Sequence, residues 1–146
     1  MNEARGNLWD FEADATVITT NGFVKKNGEA VMGRGCAREA ATRYPNLPKE
    51  LGLKIQCDGN HVFLMPIRRG MSLVTFPVKH HWREEADPEL IERSLFELVD
   101  LADHYNWRQV VMPRPGCGNG RLQWEGDIQM LCDSVLDARF TVVTYA

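Results

Sequence analysis

Short apolar runs rich in β-branched residues alternate with segments of helical periodicity, and this alternation constrains the fold of the 146-residue chain more than any other feature. Such runs are typical of strands that are buried on both faces of a sheet. The predicted strands are ATVITT (15–20), HVFLMPI (61–67), MSLVTFPV (71–78), QVVMP (109–113) and FTVVTY (140–145). Strands that alternate with helices predict a three-layer α/β domain with a mainly parallel sheet.

The strongest helix signal begins at Asp87, which is expected to cap the helix, with Pro88 at the first helical position. Apolar residues then recur on one face as far as Tyr105, and Asn106 is the expected stop. Two further helices are predicted over 35–44 and from about 125 to 136. No repeat, low-complexity tract or linker interrupts the pattern, so we expect a single domain over 1–146.

Composition narrows the functional classes. No apolar run approaches the roughly 18 to 20 residues of a membrane span, and the first residues lack the features of a secretory signal. Four widely spaced cysteines without a C-x-x-C pair argue against a zinc site. We therefore expect a cytoplasmic monomer that has no membrane contact and needs no metal or cofactor.

The formal net charge of −3 gives no general attraction to nucleic acid, so any anion must bind through local groups. Positive charge is concentrated in the middle third of the chain, at Arg68, Arg69, Lys79, His80, His81 and Arg83.

Three predicted strands run directly into unusual loops. These are NGFVKKNGEAVMGRG (21–35), KHHWREEAD (79–87) and RPGCGNGRLQW (114–124). Because the carboxyl ends of parallel strands meet at one edge of a sheet, we expect the three loops to converge on a single crevice.

Glycines dominate two of these loops, GRG (33–35) and GCGNG (116–120). Bare backbone N–H groups form concave sites for anions, and a helix N-terminus adds further unpaired donors after GRG. Two such loops facing one another would hold a diphosphate. The alternative for GCGNG is an ordinary tight turn between a strand and a helix. VMGRGCAR does not have the spacing of a dinucleotide fingerprint, and no Walker-type motif occurs.

Lys79 is the first candidate for catalysis, because it ends an apolar strand and is followed by further cationic groups. Burial and like charge both lower the pKa of a lysine and favour a neutral, reactive amine. The alternative is a solvated surface lysine. Cys36 and Cys117 are second candidates for a nucleophile, although such cysteines are often buried packing residues. Trp82, Trp107 and Trp124 can stack on a base or can belong to the core or its rim.

Four segments together resemble the macrodomain family, the α/β fold that binds ADP-ribose. They are RGNLWDFEADATVITTN (5–21), VMGRGCA (31–37), FPVKHHWR (76–83) and MPRPGCGNGRLQWE (112–125). The chain is most similar to the lysine-dependent branch, which includes terminal ADP-ribose hydrolases and bacterial antitoxins that remove ADP-ribose from DNA. The resemblance implies a three-layer α/β/α macrodomain with a mixed, mainly parallel central sheet.

The resemblance also implies roles for individual residues. Lys79 matches the lysine that acts on the anomeric carbon. Gly6, Asn7 and Leu8 would lie by the adenine. The proximal ribose and diphosphate would be bordered by Asn21, Gly33, Arg34 and Gly35, and the glycine loop 116–120 would hold the diphosphate from the opposite side. The expected ligand-binding residues are Gly6, Asn7, Leu8, Thr20, Asn21, Met32, Gly33, Arg34, Gly35, Cys36, Pro77, Gly116, Cys117, Gly118, Asn119, Gly120, Arg121 and Leu122.

The chain departs from the family pattern at Asn7, where many macrodomains have an aspartate, at Ile18, where an asparagine is frequent, and at Gly120, where some relatives have a catalytic aspartate. The leading hypothesis is an ADP-ribosyl hydrolase that acts on ADP-ribosylated protein or DNA through Lys79. The alternatives are a non-catalytic ADP-ribose reader, a phosphatase of ADP-ribose 1″-phosphate and a cysteine hydrolase.

Overall fold

The structure is a computed structural model that describes residues 1–65, 67 and 71–145. In this part of the chain, six strands alternate with four α-helices. The strands are β1 (Asn2–Arg5), β2 (Ala15–Asn21), β3 (Phe63–Met65), β4 (Ser72–Lys79), β5 (Val110–Pro113) and β6 (Phe140–Thr144). The helices are α1 (Gly35–Arg43), α2 (Leu47–Asp58), α3 (Pro88–Tyr105) and α4 (Gln129–Val135).

The strands form one sheet in the order β1-β6-β5-β2-β4-β3. Neighbouring strands are parallel except for β3, which pairs with β4 in the antiparallel direction. The predicted mixed, mainly parallel sheet is therefore confirmed. The antiparallel strand β3 is the outermost strand on one side of the sheet. Strands β5, β2 and β4 are adjacent and parallel, so their carboxyl ends lie at the same end of the sheet.

Helices cover both faces of the sheet. Side chains along a strand point alternately to opposite faces, and the apolar side chains on both faces are buried under helices. Val17 of β2 packs in the cluster that α3 and α4 cover, and the adjacent Ile18 packs in the cluster under α1 and α2. Both side chains are fully buried. The result is the three-layer α/β/α arrangement that the alternating sequence pattern predicts.

Helix α3 begins and ends where the sequence predicts. Asp87 Oδ1 accepts a hydrogen bond from Glu89 N at 3.0 Å and caps the helix. Asn106 adopts the left-handed conformation with φ of 55° and ends it. The buried face of α3 includes Leu95 and Leu98, which belong to the larger core cluster.

Two predicted elements differ clearly from the structure. Strand β3 covers 63–65 rather than 61–67, and Pro66 lies outside the described residues. The helix expected from about 125 is interrupted, because Glu125 and Gly126 have non-helical backbone angles and regular helix begins only at Gln129. The positive φ of Gly126, 105°, produces this kink.

Strand β1 and helix α2 were not predicted. The sequence of β1 is short and polar, and mostly exposed, so it lacks the alternation that marks a strand. Helix α2 buries only Leu47, Leu51 and Gly52, which is too narrow a stripe to detect. At Gly52 a β-carbon would lie 1.9 Å from the carbonyl oxygen of Gly28, so the helix packs closely on the loop that follows β2.

Candidate functional site

A cleft of about 1300 Å³ lies at the edge of the sheet where β2, β4 and β5 end. All three loops that the sequence places at this edge contribute to its wall, together with the end of β6. Fourteen of the sequence-predicted binding and catalytic residues line it: Thr20, Asn21, Met32, Gly33, Arg34, Gly35, Cys36, Lys79, Gly116, Cys117, Gly118, Asn119, Gly120 and Leu122.

The remaining five predicted residues do not contribute to the cleft wall, as far as the described residues define it. Gly6 and Leu8 flank Asn7, whose Oδ1 accepts a hydrogen bond from Trp9 N at 3.0 Å, and Leu8 is buried in the core. Pro77 is buried in β4, and its carbonyl accepts from the Ser94 hydroxyl at 2.9 Å. Arg121 is exposed just beyond the glycine loop.

The two glycine loops face one another across the cleft. A β-carbon on Gly35 would lie 3.1 Å from Asn119 Nδ2, which places the start of α1 directly against the second loop. No side chain caps α1, and Arg38 N, which bonds to Arg34 O at 3.2 Å, is the first amide paired along it. The amides of Cys36 and Ala37 are therefore available as donors at the helix N-terminus.

Glycines within the second loop have different roles. A β-carbon on Gly120 would lie 2.4 Å from Gly116 O, and Gly116 itself has a φ of +76°. The loop is closed by the hydrogen bond from Leu122 N to Gly116 O at 2.9 Å. The turn itself requires these two glycines, which agrees with the alternative interpretation of GCGNG as a tight turn between a strand and a helix. Gly118 has open space in front of it and leaves its backbone accessible to a ligand.

Asn21 shapes the first loop. Its Nδ2 donates to Val31 O at 3.1 Å, and its Oδ1 accepts from Phe23 N at 3.0 Å. Both ends of the amide are therefore occupied within the loop. The side chain holds this loop in the conformation that brings Gly33 and Gly35 to the cleft.

The backbone of Lys79 is held by a bulge and two donors. The register between β2 and β4 shifts after Thr20, so that Asn21 pairs with Lys79. The Lys79 carbonyl accepts from Gly22 N at 3.1 Å and from Asn60 Nδ2 at 3.0 Å. A β-carbon on Gly22 would lie 2.7 Å from Asn60 Cγ, so the approach of Asn60 requires a glycine there. Sequence reasoning missed Asn60, because its position after α2 carries no motif.

The Lys79 amine lies where the loops meet. Its Nζ donates to Asn119 O at 3.0 Å and to Trp82 O at 3.4 Å. Burial lowers the pKa of this amine from its ordinary value, and the positive charges of Arg121 and Arg34 lower it further. A neutral amine has two N–H bonds for the two carbonyls and one lone pair for an electrophile.

The two candidate cysteines are held as thiols. Thr19 N donates to Cys36 Sγ at 3.4 Å, but burial raises the pKa of this thiol above its ordinary value. Burial also raises the pKa of Cys117 to about 11, and its Sγ donates to Pro115 O at 3.4 Å. The neighbouring imidazoles bond elsewhere, His80 to Asp87 and His81 to Arg83 N. This arrangement argues against a cysteine hydrolase.

The tryptophans separate into two groups. Trp107 and Trp124 are buried in the core, and Trp124 also lines the cleft, whereas Trp82 is 40% exposed at the rim of the cleft. Arg68 and Arg69, which belong to the positive charges in the middle third of the chain, lie outside the described residues.

Within the described residues, no group of three or more His, Cys, Asp or Glu side chains is arranged to hold a metal ion. None of the helices described here is both long and apolar enough to traverse a lipid bilayer.

Comparison with curated proteins finds related sequences. The chain is 30% identical over 129 residues to a DNA ADP-ribosyl glycohydrolase of Thermus aquaticus, covering 82% of this chain and 33% of the relative. It is 28% identical over 134 residues to a protein of the same name from Mycobacterium bovis, covering 86% and 36%. The chain thus spans about a third of the length of these relatives. No protein-family model matches it.

Solved structures share the fold over the whole chain. The macrodomain of Thermus aquaticus DarG has a TM-score of 0.79 and 27% identity, with coverage of 99% of this chain and 97% of that one. The macrodomain of Mycobacterium tuberculosis DarG has a TM-score of 0.82 and 24% identity, with both chains fully covered. Thermosipho africanus DarTG in complex with ADP-ribose has a TM-score of 0.82 and 18% identity, covering 99% and 42%.

The TM-scores and the coverage show that the α/β fold of this chain is shared with these macrodomains over its whole length. The chain is therefore a macrodomain with an α/β fold, and it resembles the macrodomains of the DarG proteins.

Proposed function

We propose that this protein is an ADP-ribosyl hydrolase that removes ADP-ribose from DNA. The observation that carries the proposal is the position of the Lys79 amine, 3.0 Å from Asn119 O, at the point where the two glycine loops face one another. The names of the curated relatives, DNA ADP-ribosyl glycohydrolase, support DNA as the macromolecule. The ADP-ribose in the DarTG structure of the same fold supports the ligand.

In this proposal the diphosphate lies between Gly118 and the N-terminus of α1. Backbone amides serve this purpose because they stabilise negative charge without the entropy cost of ordering long side chains. Arg34 lines the same cleft and adds a positive charge. With the diphosphate held in this way, the anomeric carbon of the proximal ribose lies close to the Lys79 amine in a geometry suited to reaction. Gly6, Asn7 and Leu8 stay our candidates for the adenine end.

Lys79 then acts at the anomeric carbon as a neutral amine. Its lone pair forms the new C–N bond while the bond to the DNA breaks, and the leaving atom keeps the electron pair and takes the proton that the lysine nitrogen loses. Water subsequently cleaves the C–N bond and restores the amine. In the second form of the mechanism, Lys79 assists departure of the leaving group without forming a bond to carbon.

The proposed reaction includes no metal or cofactor, since Lys79 supplies the reacting group. The cysteines in the described residues are free thiols, which supports our placement of the protein in the cytoplasm. We further propose that residues 1–146 form one domain that acts as a monomer, because the residues that grip the ligand and the reacting amine all lie within this stretch.

Single-turnover hydrolysis of ADP-ribosylated DNA and of ADP-ribosylated protein tests the proposal. The Lys79→Ala variant should lose activity on DNA by at least about a hundredfold, because it removes the reacting amine. It should still bind ADP-ribose in calorimetry. Lys49→Ala, which changes an exposed lysine of α2, is the matched control. Equal rates for the wild type and Lys79→Ala would exclude the lysine mechanism.

A non-catalytic ADP-ribose reader is the second candidate, and one observation favours it. A β-carbon at Gly120 would lie 2.4 Å from the Gly116 carbonyl, so this loop has no room for the aspartate that some macrodomains carry there. Tight binding of ADP-ribose without product from DNA or protein substrates would select the reader.

A further inference from the structure

The side chains of four residues that line the cleft form a continuous surface that the proposed reaction does not use. We call Phe23, His81, Trp82 and Arg83 the aromatic rim. The ring centroids of Phe23 and His81 are 4.5 Å apart, and the rings of His81 and Trp82 are stacked at 5.6 Å. The Arg83 guanidinium lies 4.7 Å from the centroid of the Trp82 ring. Side chains from two loops thus assemble one platform.

This platform is exposed and borders the reacting amine. Phe23 is 36% exposed and Trp82 is 40% exposed, whereas the core residue Trp107 is only 7% exposed. Trp82 O lies 3.4 Å from Lys79 Nζ, and all four rim residues line the same cleft as Lys79. A group attached to the anomeric carbon next to Lys79 would therefore lie beside the rim.

The charge of the cleft wall is positive although the whole chain is negative. The cleft wall contains five cationic side chains and one carboxylate, that of Glu125, against a formal net charge of −3 for the chain. The cations are Lys25, Arg34, Lys79, Arg83 and Arg114. Two of them are near carboxylates, Lys25 at 3.8 Å from Glu29 and Arg114 at 3.9 Å from Glu3. Arg34 and Arg83 contribute the exposed charge beside the rim.

Exposed aromatic faces next to exposed cations are the chemistry that recognises unpaired bases and their phosphates. Each base has a π face that can stack on an aromatic ring, and cationic groups hold the backbone. A base inside a duplex has no free face, so the partner must be single-stranded or locally unpaired. An acidic peptide would satisfy the cations but would leave the aromatic faces without a partner.

We propose that the aromatic rim stacks a base that flanks the modified nucleotide of single-stranded DNA. The base takes the place of the Arg83 guanidinium on the Trp82 ring, a contact that is weak at an exposed site, and Arg83 then pairs with a phosphate. The inference rests on the proposed function for the identity of the macromolecule. It goes beyond that function because it assigns to named side chains a contact with DNA outside the ADP-ribose group.

Binding of unmodified DNA tests the rim independently of hydrolysis. The probes are a fluorescein-labelled single-stranded oligonucleotide and a strand of equal charge in which abasic sites replace the bases. Fluorescence anisotropy should show that the wild type prefers the strand with bases by roughly tenfold, the effect expected from one stacked base. Trp82→Ala should abolish this preference, and Trp82→Phe should retain most of it. Phe96→Ala, which changes a 55% exposed aromatic residue of α3, should behave as wild type.

Salt dependence tests the second half of the proposal. Arg83→Gln should reduce the slope of log binding constant against log salt by about 0.7, the effect of one phosphate contact on a single strand. Equal binding of the two strands by the wild type, or an undiminished preference in Trp82→Ala, would overturn the proposal.

Hydrolysis separates this inference from the proposed function. With an ADP-ribosylated oligonucleotide, the corresponding nucleoside and an ADP-ribosylated peptide as substrates, Trp82→Ala should lose roughly tenfold more activity on the oligonucleotide than on the nucleoside. Equal losses on all three would overturn the rim while the hydrolase stands. Base-selective binding by the wild type without hydrolysis of any substrate would support the rim and contradict the hydrolase.

Discussion

Lys79 is held in a fixed position, and its amine has a lowered pKa. Its backbone is fixed by Gly22 and Asn60, and its amine is held by carbonyls of two different loops. Burial and two neighbouring arginines lower the pKa of the amine. A residue that must attack as a free base benefits from each of these, because position and protonation state both determine the rate.

The pH dependence of hydrolysis should therefore respond to Arg121. The rate should rise with pH as the Lys79 amine loses its proton, with a midpoint below the ordinary pKa of 10.5. In Arg121→Gln one of the charges that lower this pKa is absent, so the folded-state pKa rises and the profile should move to higher pH. Single-turnover rates measured across pH provide the test.

Arg38→Gln is the matched control, since Arg38 is exposed on α1 and does not contribute to the cleft wall in the described structure. Its profile should coincide with that of the wild type. A profile of Arg121→Gln that moves to lower pH would contradict the electrostatic account.

At the scale of elements, the end of β4 connects the fold to the site. The bulge after Thr20 aligns Lys79 with Asn21, and Asn60 reaches the Lys79 carbonyl from the segment after α2. Arg93 Nη2 in turn donates to the Asn60 carbonyl, which links this segment to α3. The lysine is thus positioned by three elements that are distant in sequence.

Asn60→Ala should lower kcat about tenfold while KM changes by less than a factor of two. The substitution removes a donor from the Lys79 carbonyl and loosens the lysine without altering the loops that grip the ligand. Asn46→Ala is the control, because the Asn46 side chain makes no capping hydrogen bond at α2. A change in KM alone would show that Asn60 contributes to binding rather than to positioning.

Asp14 connects the starts of β2 and β5. Its Oδ2 accepts from Arg108 N at 2.7 Å and from Gln109 N at 3.0 Å, and these hydrogen bonds lower the pKa of the carboxyl below its ordinary value of 3.8. A carboxyl whose folded-state pKa is lowered stabilises the fold above the unfolded pKa and loses this contribution as pH falls through the folded pKa.

Asp14→Ala should therefore reduce the free energy of unfolding by about 1 kcal/mol at neutral pH, a modest value because the carboxylate is exposed to solvent. Denaturant unfolding measures the difference from the wild type. The difference should shrink below about pH 4 and disappear in stronger acid. A difference that stays constant down to pH 2 would show that the carboxylate charge is not responsible.

The sequence predicts the elements whose signals are local and strong. Helix α3 has a cap, a proline and a periodic apolar face, and the buried strands are rich in β-branched residues, so these elements agree closely with the structure. Strand β1 and helix α2 were missed because their stability comes from neighbours, as the contact of Gly52 with the Gly28 carbonyl illustrates. Asn60 escaped for the same reason, since only the folded chain brings it to Lys79.

At the scale of the whole molecule, a site forms because β2, β4 and β5 are adjacent and parallel, so that their loops end together. The convergence of the glycine loops followed from the sequence through this rule alone. The different roles of the glycines within GCGNG could not be predicted from the sequence, because the close approach of Gly116 and Gly120 exists only in the folded chain.

The central claim is that ADP-ribose lies between the two glycine loops, and calorimetry on Gly33→Glu and Gly118→Glu tests it most directly. A β-carbon at either position meets open space, so both variants should fold normally, while the new carboxylate occupies the cleft and repels the diphosphate. We predict that both variants lose ADP-ribose affinity by at least about a hundredfold, whereas Ser134→Glu on exposed surface binds as the wild type does. Undiminished affinity in both glycine variants would contradict the account.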